Sequence, residues 1–97
     1  MPTRLIAIVG SVTPPGRLLN ATRWLLDSAQ ASREDLDIEL INLADKKIAF
    51  ADGRPPEQYN DDTTSIVASV RAADCVIVAS PVYRGSFTGA LKNLLDH

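Results

Sequence analysis

Hydrophobic residues occur along the chain in short blocks of two kinds. Continuous apolar runs rich in β-branched residues are typical of parallel strands covered on both faces. Two such runs occur, at residues 4–9 and 75–79, and residues 38–43 are also predicted to form a strand. Between and after them, apolar residues recur at spacings of three and four, which predicts amphipathic helices. These helices are expected at residues 17–32, at 63–73, and from residue 86 or 87 onward. The alternation predicts an α/β fold with right-handed crossovers and a parallel sheet.

Local features refine this outline. Asp61 or Asp62 is placed to cap the second helix. Cys75 opens the third apolar run and is interpreted as a small core residue in a buried strand. The polar stretch 44–62 is predicted to be a long loop, and loops of that length are usually functional or cover an interface. The third helix is predicted to carry its apolar face on Phe87, Leu91, Leu94 and Leu95.

Composition and charge mainly exclude classes of function, such as nucleic-acid binding and membrane insertion. The 97 residues suffice for one small domain, and the hydrophobic share of 45% is typical of a soluble globular protein. The net charge of −2 comes without a basic patch, so no nucleic-acid partner is expected. The apolar runs are too short to span a membrane and the N-terminus lacks the features of a signal peptide, so no membrane partner and a cytoplasmic location are expected. The single cysteine excludes an intrachain disulfide, and no metal site is predicted.

Two loops are the candidates for ligand binding. In open α/β sheets, ligands bind beyond the carboxyl ends of the strands, where the strand order reverses. In the flavodoxin-like strand order, that point lies between the first and third strands. The first loop (residues 10–17) and the second loop (residues 80–87) follow those two strands. That both loops lie at the position expected from the topology is stronger evidence for a ligand site than the sequence of either loop alone.

The first loop is suited to a phosphate. It opens a helix, whose N-terminus offers unpaired N–H groups and a partial positive charge. Ser11 and Thr13 add hydroxyl groups, and Arg17 adds a charged fork that can bind a phosphate through two hydrogen bonds. The string matches neither a dinucleotide-binding nor a nucleoside-triphosphate motif. It is equally compatible with a proline-stiffened turn that carries a surface arginine.

The second loop is suited to a flat heterocycle. Its backbone groups can bond the polar edge of a ring, and Tyr83 can stack on the ring face. The competing interpretation is structural: Pro81 ends the strand, Tyr83 packs locally and Gly85 supplies a turn.

Two strings together resemble the NADPH-dependent FMN reductase family over essentially the whole chain. The first is AIVGS at residues 7–11 with Arg17. The second and more specific one is ADCVIVASPVY at 73–83 followed by GALKNLLD at 89–96. The nearest resemblance is to reductases that serve two-component sulfonate monooxygenases. It implies a flavodoxin-like three-layer αβα fold with a parallel sheet, of which residues 1–97 hold a partial FMN-binding domain with about three strands in the order 2-1-3.

The resemblance also implies the site residues and cofactors. The FMN phosphate is expected on Ser11, Thr13 and Arg17. The isoalloxazine ring is expected against four residues of the second loop, namely Pro81, Val82, Tyr83 and Arg84. Many relatives have a hydroxyl residue directly after the arginine, where this chain has Leu18. NADPH or NADH is the expected reductant, and no catalytic side chain is required because the cofactor carries the chemistry.

The implied activity is transfer of hydride from a nicotinamide to flavin N5, with reduced flavin passed to a flavin-dependent monooxygenase or another acceptor. One alternative is a related flavoenzyme that reduces quinones, azo compounds or metal oxyanions. A second alternative is a non-catalytic half-domain that associates through an open sheet edge. Five strands with crossovers need about 150 residues. The chain is therefore expected to be either a truncated product or one of two or more copies that complete each other as a homodimer or larger oligomer.

Overall fold

The computed structural model describes residues 2–12 and 16–97. Three strands and three α-helices alternate along the chain. They are β1 (Thr3–Val9), α1 (Arg17–Ser32), β2 (Leu36–Asn42), α2 (Thr63–Arg71), β3 (Cys75–Ala79) and α3 (Gly89–Leu95). The strands form one parallel sheet in the order β2-β1-β3, which confirms the predicted order 2-1-3.

The helices cover the two faces of the sheet and produce three layers. Alternate residues of β1 point to opposite faces, as strand geometry requires. Ile6 and Ile8 pack with Ile66 of α2 and with Leu91 of α3 on one face. On the other face, Leu5 and Ala7 pack with a single residue of α1, Leu26. The αβα architecture is therefore confirmed, and β1 is buried on both faces as its unbroken apolar run predicts.

The prediction that β3 is a buried strand is wrong. Val76 is 40% exposed, Val78 is 46% exposed, and Cys75 is exposed rather than a core residue. The reason is that, within the described residues, β3 pairs only with β1 and is an edge of the sheet. An apolar run shows that a strand can be buried, but burial also requires a neighbour on each side.

The helix boundaries differ from the prediction at two places. Helix α2 ends at Arg71 instead of residue 73, because a turn brings the N–H of Asp74 to the carbonyl of Arg4 at 2.9 Å. Helix α3 begins at Gly89, after the predicted residue 86 or 87. Phe87 therefore precedes the helix and is half-exposed, and Leu95 is also exposed, so only Leu91 and Leu94 of the predicted apolar face are buried.

The stretch 44–62 is mainly a loop, as predicted, with 3-10 helical turns at Leu43–Asp45 and Pro56–Gln58. Carboxylates hold it in place. The two carboxylate oxygens of Asp61 accept hydrogen bonds from the N–H groups of Ala49 and Thr63, at 2.8 and 2.9 Å. Asp62 is the residue before α2, but its carboxylate accepts from the N–H of Lys47 at 2.7 Å instead of capping the helix. Hydrogen bonding by Thr63 holds the pKa of Asp61 below its usual range.

Among the described residues, no helix combines the length and the hydrophobicity that are needed to cross a membrane.

Candidate functional site

The first and second loops leave the sheet side by side. Val9 and Ala79 end β1 and β3 and are register partners in the parallel pair. One residue later, the N–H of Gly10 donates to the carbonyl of Ala79 at 2.7 Å. Both predicted ligand loops thus start at the carboxyl ends of neighbouring strands. This is the position that the topology predicts for a ligand.

Thr88 connects the two loops through its side chain. It is 4% exposed and lies directly after the second loop, where it is the N-cap of α3. Its hydroxyl donates to the carbonyl of Gly10 at 2.6 Å and accepts from the N–H of Leu91 at 3.2 Å. Its own N–H donates to the hydroxyl of Ser80 at 3.1 Å, and that hydroxyl donates to the carbonyl of Pro81 at 2.8 Å. The hydrogen bonds run from the first loop through Thr88 to the start of the second.

Gly10 is packed closely against this junction. A Cβ atom at Gly10 would lie 3.1 Å from the Cβ of Leu91 and 3.2 Å from the carbonyl oxygen of Ala79. Both distances are shorter than ordinary van der Waals contact, so a side chain here would require its neighbours to shift by a few tenths of an ångström. Glycine at this position suits the close approach of the first loop to β3 and α3.

The first loop presents the N-terminus of α1 and its first side chain. Arg17 begins the helix and is exposed, and no acidic residue lies in the first turn. The first N–H groups of a helix have no acceptor within the helix. In α1, the first helical hydrogen bond is donated by the N–H of Asn20 to the carbonyl of Gly16, at 3.3 Å. Ser11 is only 9% exposed, so it lies at the base of the loop, and Thr13 lies outside the described residues. Leu18 is half-buried.

The second loop contains a tight turn that exposes apolar side chains. The N–H groups of Tyr83 and Ser86 each donate to the other's carbonyl, at 2.9 and 3.1 Å. Between them, Arg84 and Gly85 have φ of 52° and 80°, both in the left-handed region. Positive φ at both central positions is the signature of a type I′ turn. The turn leaves Val82 74% exposed and Tyr83 54% exposed.

Four of the six predicted site residues that the structure describes are exposed, namely Arg17, Val82, Tyr83 and Arg84. Pro81 is half-buried, and Arg84 is exposed like Arg17. In the described ranges, no carboxylate lies within ion-pair distance of either arginine. A cavity of about 560 Å³ lies elsewhere, beside α2 and Tyr59, and none of the predicted site residues lines it. Free cations and exposed apolar side chains at the ends of β1 and β3 are what the surface offers to a ligand.

Thr88 is a residue of the candidate site that sequence reasoning missed. The available signal was its position before Gly89, since threonine is a preferred residue at a helix N-cap. Placing the helix start at residue 86 or 87 put Thr88 inside the helix and concealed that role. Its bond to Gly10 depends on contact between parts of the chain that are distant in sequence.

Comparison with known proteins finds relatives of this chain among flavin-dependent reductases. An NAD(P)H-dependent FAD/FMN reductase from Geobacillus thermodenitrificans is 36% identical over 93 residues, which are 96% of this chain and 50% of the relative. An FMN-dependent NADPH-azoreductase from Staphylococcus saprophyticus is 30% identical over 96 residues, covering 95% of this chain and 50% of the relative. The chain therefore spans about half the length of these curated relatives.

A solved structure shows the same arrangement of elements. The apo form of the NADH:FMN oxidoreductase EMOB matches with a TM-score of 0.75 and 26% identity, over 97% of this chain and 49% of that chain. The family model described as NADPH-dependent FMN reductase matches residues 3–97. These matches extend over both loops and all six elements, and the chain belongs to the NADPH-dependent FMN reductase family.

Proposed function

We propose that this chain supplies an FMN-binding surface for NAD(P)H-dependent flavin reduction. The observation that carries the proposal is the hydrogen bond from the Gly10 N–H to the Ala79 carbonyl at 2.7 Å. It holds the start of the loop suited to a phosphate against the last residue of β3, directly before the loop suited to a ring. FMN carries both groups at opposite ends of one molecule.

The side chains that the structure describes fit such a ligand. The first-turn N–H groups of α1 and the guanidinium of Arg17 match the chemistry of a phosphate dianion. Val82 and Tyr83 provide exposed apolar and aromatic area for an isoalloxazine ring. Ser11 and Thr13 remain proposed phosphate contacts, as do Pro81 and Arg84 for the ring.

In this proposal the residues bind and orient, and the cofactor supplies the reaction. The redox chemistry is that of a flavin, whose N5 accepts hydride from the nicotinamide of NADPH or NADH. Arg17 fixes the phosphate end, and the type I′ turn at Arg84 and Gly85 holds Tyr83 toward the ring. The reduced flavin then passes to an acceptor, such as a flavin-dependent monooxygenase.

Steady-state kinetics test the proposed activity. The purified chain is mixed with FMN and either NADPH or NADH, and oxidation of the nicotinamide is followed by its absorbance. We expect oxidation above the rate of the same mixture without protein. Equal rates with and without the chain would contradict catalysis by this polypeptide.

Azo compounds are a second class of acceptor. The azoreductase from Staphylococcus saprophyticus, 30% identical to this chain, favours this possibility. The same assay with an azo dye replacing free FMN as terminal acceptor, and FMN at catalytic concentration, distinguishes the two. Faster turnover with the dye would assign this chain to azo reduction, and turnover restricted to free flavin would assign it to flavin reduction.

Self-association through β3 is proposed beside either activity. Val76 and Val78 are 40% and 46% exposed on a strand that is paired on one side only within the described residues. An edge of this kind can pair with the same edge of a second copy. A measurement of molecular mass in solution tests this proposal, because a monomer at all concentrations would contradict it.

A further inference from the structure

We infer that Thr88 is a positioning residue that holds the first and second loops in one register, so that the two ends of FMN bind as a unit. This inference rests on the proposed FMN site. It deepens that proposal by naming the group that connects the phosphate end to the ring end. Thr88 itself touches neither end in this assignment.

The buried hydroxyl of Thr88 makes two hydrogen bonds that serve different parts of the chain. The Thr88 Oγ1 atom donates to Gly10 at 2.6 Å and accepts from Leu91 at 3.2 Å. A helix cap needs only the accepted bond. The donated bond adds nothing to the cap, and it reaches the first residue of a loop that lies 78 positions earlier in the chain.

The hydrogen-bond network continues into the second loop. The N–H of Thr88 donates to the hydroxyl of Ser80 at 3.1 Å, which donates in turn to the carbonyl of Pro81 at 2.8 Å. Pro81 stands directly before the exposed residues Val82 and Tyr83. A displacement of Thr88 would therefore change the start of the proposed ring surface together with the first loop.

The hydrogen bond between Thr88 and Gly10 is buried. Thr88 is 4% exposed and Leu91 is 2% exposed, so water has little access to replace the lost partner of Gly10. A buried carbonyl without its donor is unfavourable, and the loop is expected to move to regain a partner. The hydrogen bond thus constrains the position of the first loop as well as its stability.

The variant Thr88→Val tests the inference because it keeps the shape of the side chain and removes the hydroxyl. Thr88→Ser restores the hydroxyl and should behave like the wild type. Thr22→Val is the matched control: Thr22 is 5% exposed and its hydroxyl donates to the carbonyl of Leu18 at 2.8 Å, within α1. It loses a comparable buried bond without connecting the loops.

The first readout needs no ligand. Amide hydrogen exchange of the Gly10 N–H, which is bonded to Ala79, reports whether the first loop stays attached. We expect exchange about fivefold faster in Thr88→Val, the factor corresponding to one lost hydrogen bond. Thr88→Ser and Thr22→Val should retain the wild-type rate. An unchanged Gly10 rate in Thr88→Val would overturn the inference.

The second readout compares FMN with riboflavin, which lacks the phosphate. Riboflavin needs only the ring surface, whereas FMN needs both loops in register. We therefore expect Thr88→Val to lower the preference for FMN over riboflavin by about fivefold, and Thr22→Val to preserve it. If exchange accelerates but the preference is unchanged, Thr88 is a structural cap only and the inference is wrong.

Failure of the proposed function gives a different result. If the wild-type chain binds neither FMN nor riboflavin, the proposed FMN site is contradicted and, with it, the assigned purpose of the Thr88 bond. The exchange rates then still decide whether Thr88 couples the two loops.

Discussion

The hydroxyl of Thr88 donates a hydrogen bond to the carbonyl of Gly10 at 2.6 Å, joining two residues 78 positions apart in the chain. Gly10 begins the loop after β1, and Thr88 directly follows the loop after β3. Because β1 and β3 are parallel neighbours, their carboxyl ends lie next to each other at the same end of the sheet. This contact organises the surface on which the proposed function depends.

The charge of Arg17 should determine affinity for the phosphate of FMN. We expect Arg17→Gln to weaken FMN about tenfold, the effect of losing a charge-assisted hydrogen bond, and to leave riboflavin unchanged. The difference should shrink as salt is added. Arg23→Gln, an exposed arginine further along α1, is the control with the same change in net charge. Equal FMN affinities for the two variants, measured by fluorescence quenching, would contradict the role of Arg17.

The left-handed glycine of the second loop should matter for binding as well as for stability. A Cβ at Gly85 meets no atom within 4 Å, so Gly85→Ala acts only through its φ of 80°. We expect a cost of about 1 kcal/mol from that conformation and weaker binding of both FMN and riboflavin.

Gly53→Ala provides the comparison for Gly85→Ala. Gly53 has φ of 86° and equally open surroundings, but it lies in the stretch 44–62. The two variants should lose similar stability in urea unfolding, while flavin titration should detect a loss only in Gly85→Ala. Equal flavin affinities would show that the turn plays no part in binding.

Close packing at Gly10 predicts a larger cost of substitution. Gly10→Ala places a methyl group 3.1 Å from the Cβ of Leu91, and we expect it to reduce the free energy of unfolding by about 1–3 kcal/mol. Gly89→Ala meets nothing within 4 Å at the start of α3, and alanine is the better helix former there. Urea midpoints should therefore move in opposite directions. A neutral Gly10→Ala variant would show that the loop and α3 are not tightly packed.

Acid should release the stretch 44–62 through Asp61. Hydrogen bonding from Thr63 lowers the pKa of Asp61 in the folded chain from the usual 3.8. A lowered pKa contributes stability at higher pH, and that stability is lost as pH falls through the folded value. Asp61→Asn should thus flatten the dependence of the urea midpoint on pH below about 4. A profile parallel to that of the wild type would contradict this assignment.

The open edge of β3 predicts that one exposed residue controls self-association. Lysine on an edge strand opposes pairing with a second copy. We expect Cys75→Lys to shift the chain toward monomer in sedimentation. Trp24→Lys, on an exposed position of α1, should leave the association state unchanged. The reverse result would place the interface on α1.

The alternating patterns predicted most of the fold because they reflect packing that is local to each element. The unbroken apolar run of β1 corresponds to burial on both faces, and the three- and four-residue spacing gave α1 its correct bounds. The run at Cys75–Ala79 is also entirely apolar, yet β3 is an exposed edge strand. Composition reports what a strand tolerates, whereas exposure depends on which strands pair with it.

The candidate site was predictable at the level of loops and less so at the level of side chains. Topology placed both loops at one edge, and the exposed positions of Arg17, Val82 and Tyr83 agree with ligand contact. The burial of Ser11 depends on packing beyond its own segment, which the local sequence does not specify. The bond of Thr88 to Gly10 depends on a contact between distant segments, which no local pattern encodes.

Titration of the purified chain with FMN, followed by quenching of flavin fluorescence, tests the central claim most directly. We expect saturable quenching at micromolar protein, stronger for FMN than for riboflavin because Arg17 and the N-terminus of α1 hold the phosphate. Absence of saturable quenching with either flavin would contradict the claim that this chain binds the cofactor.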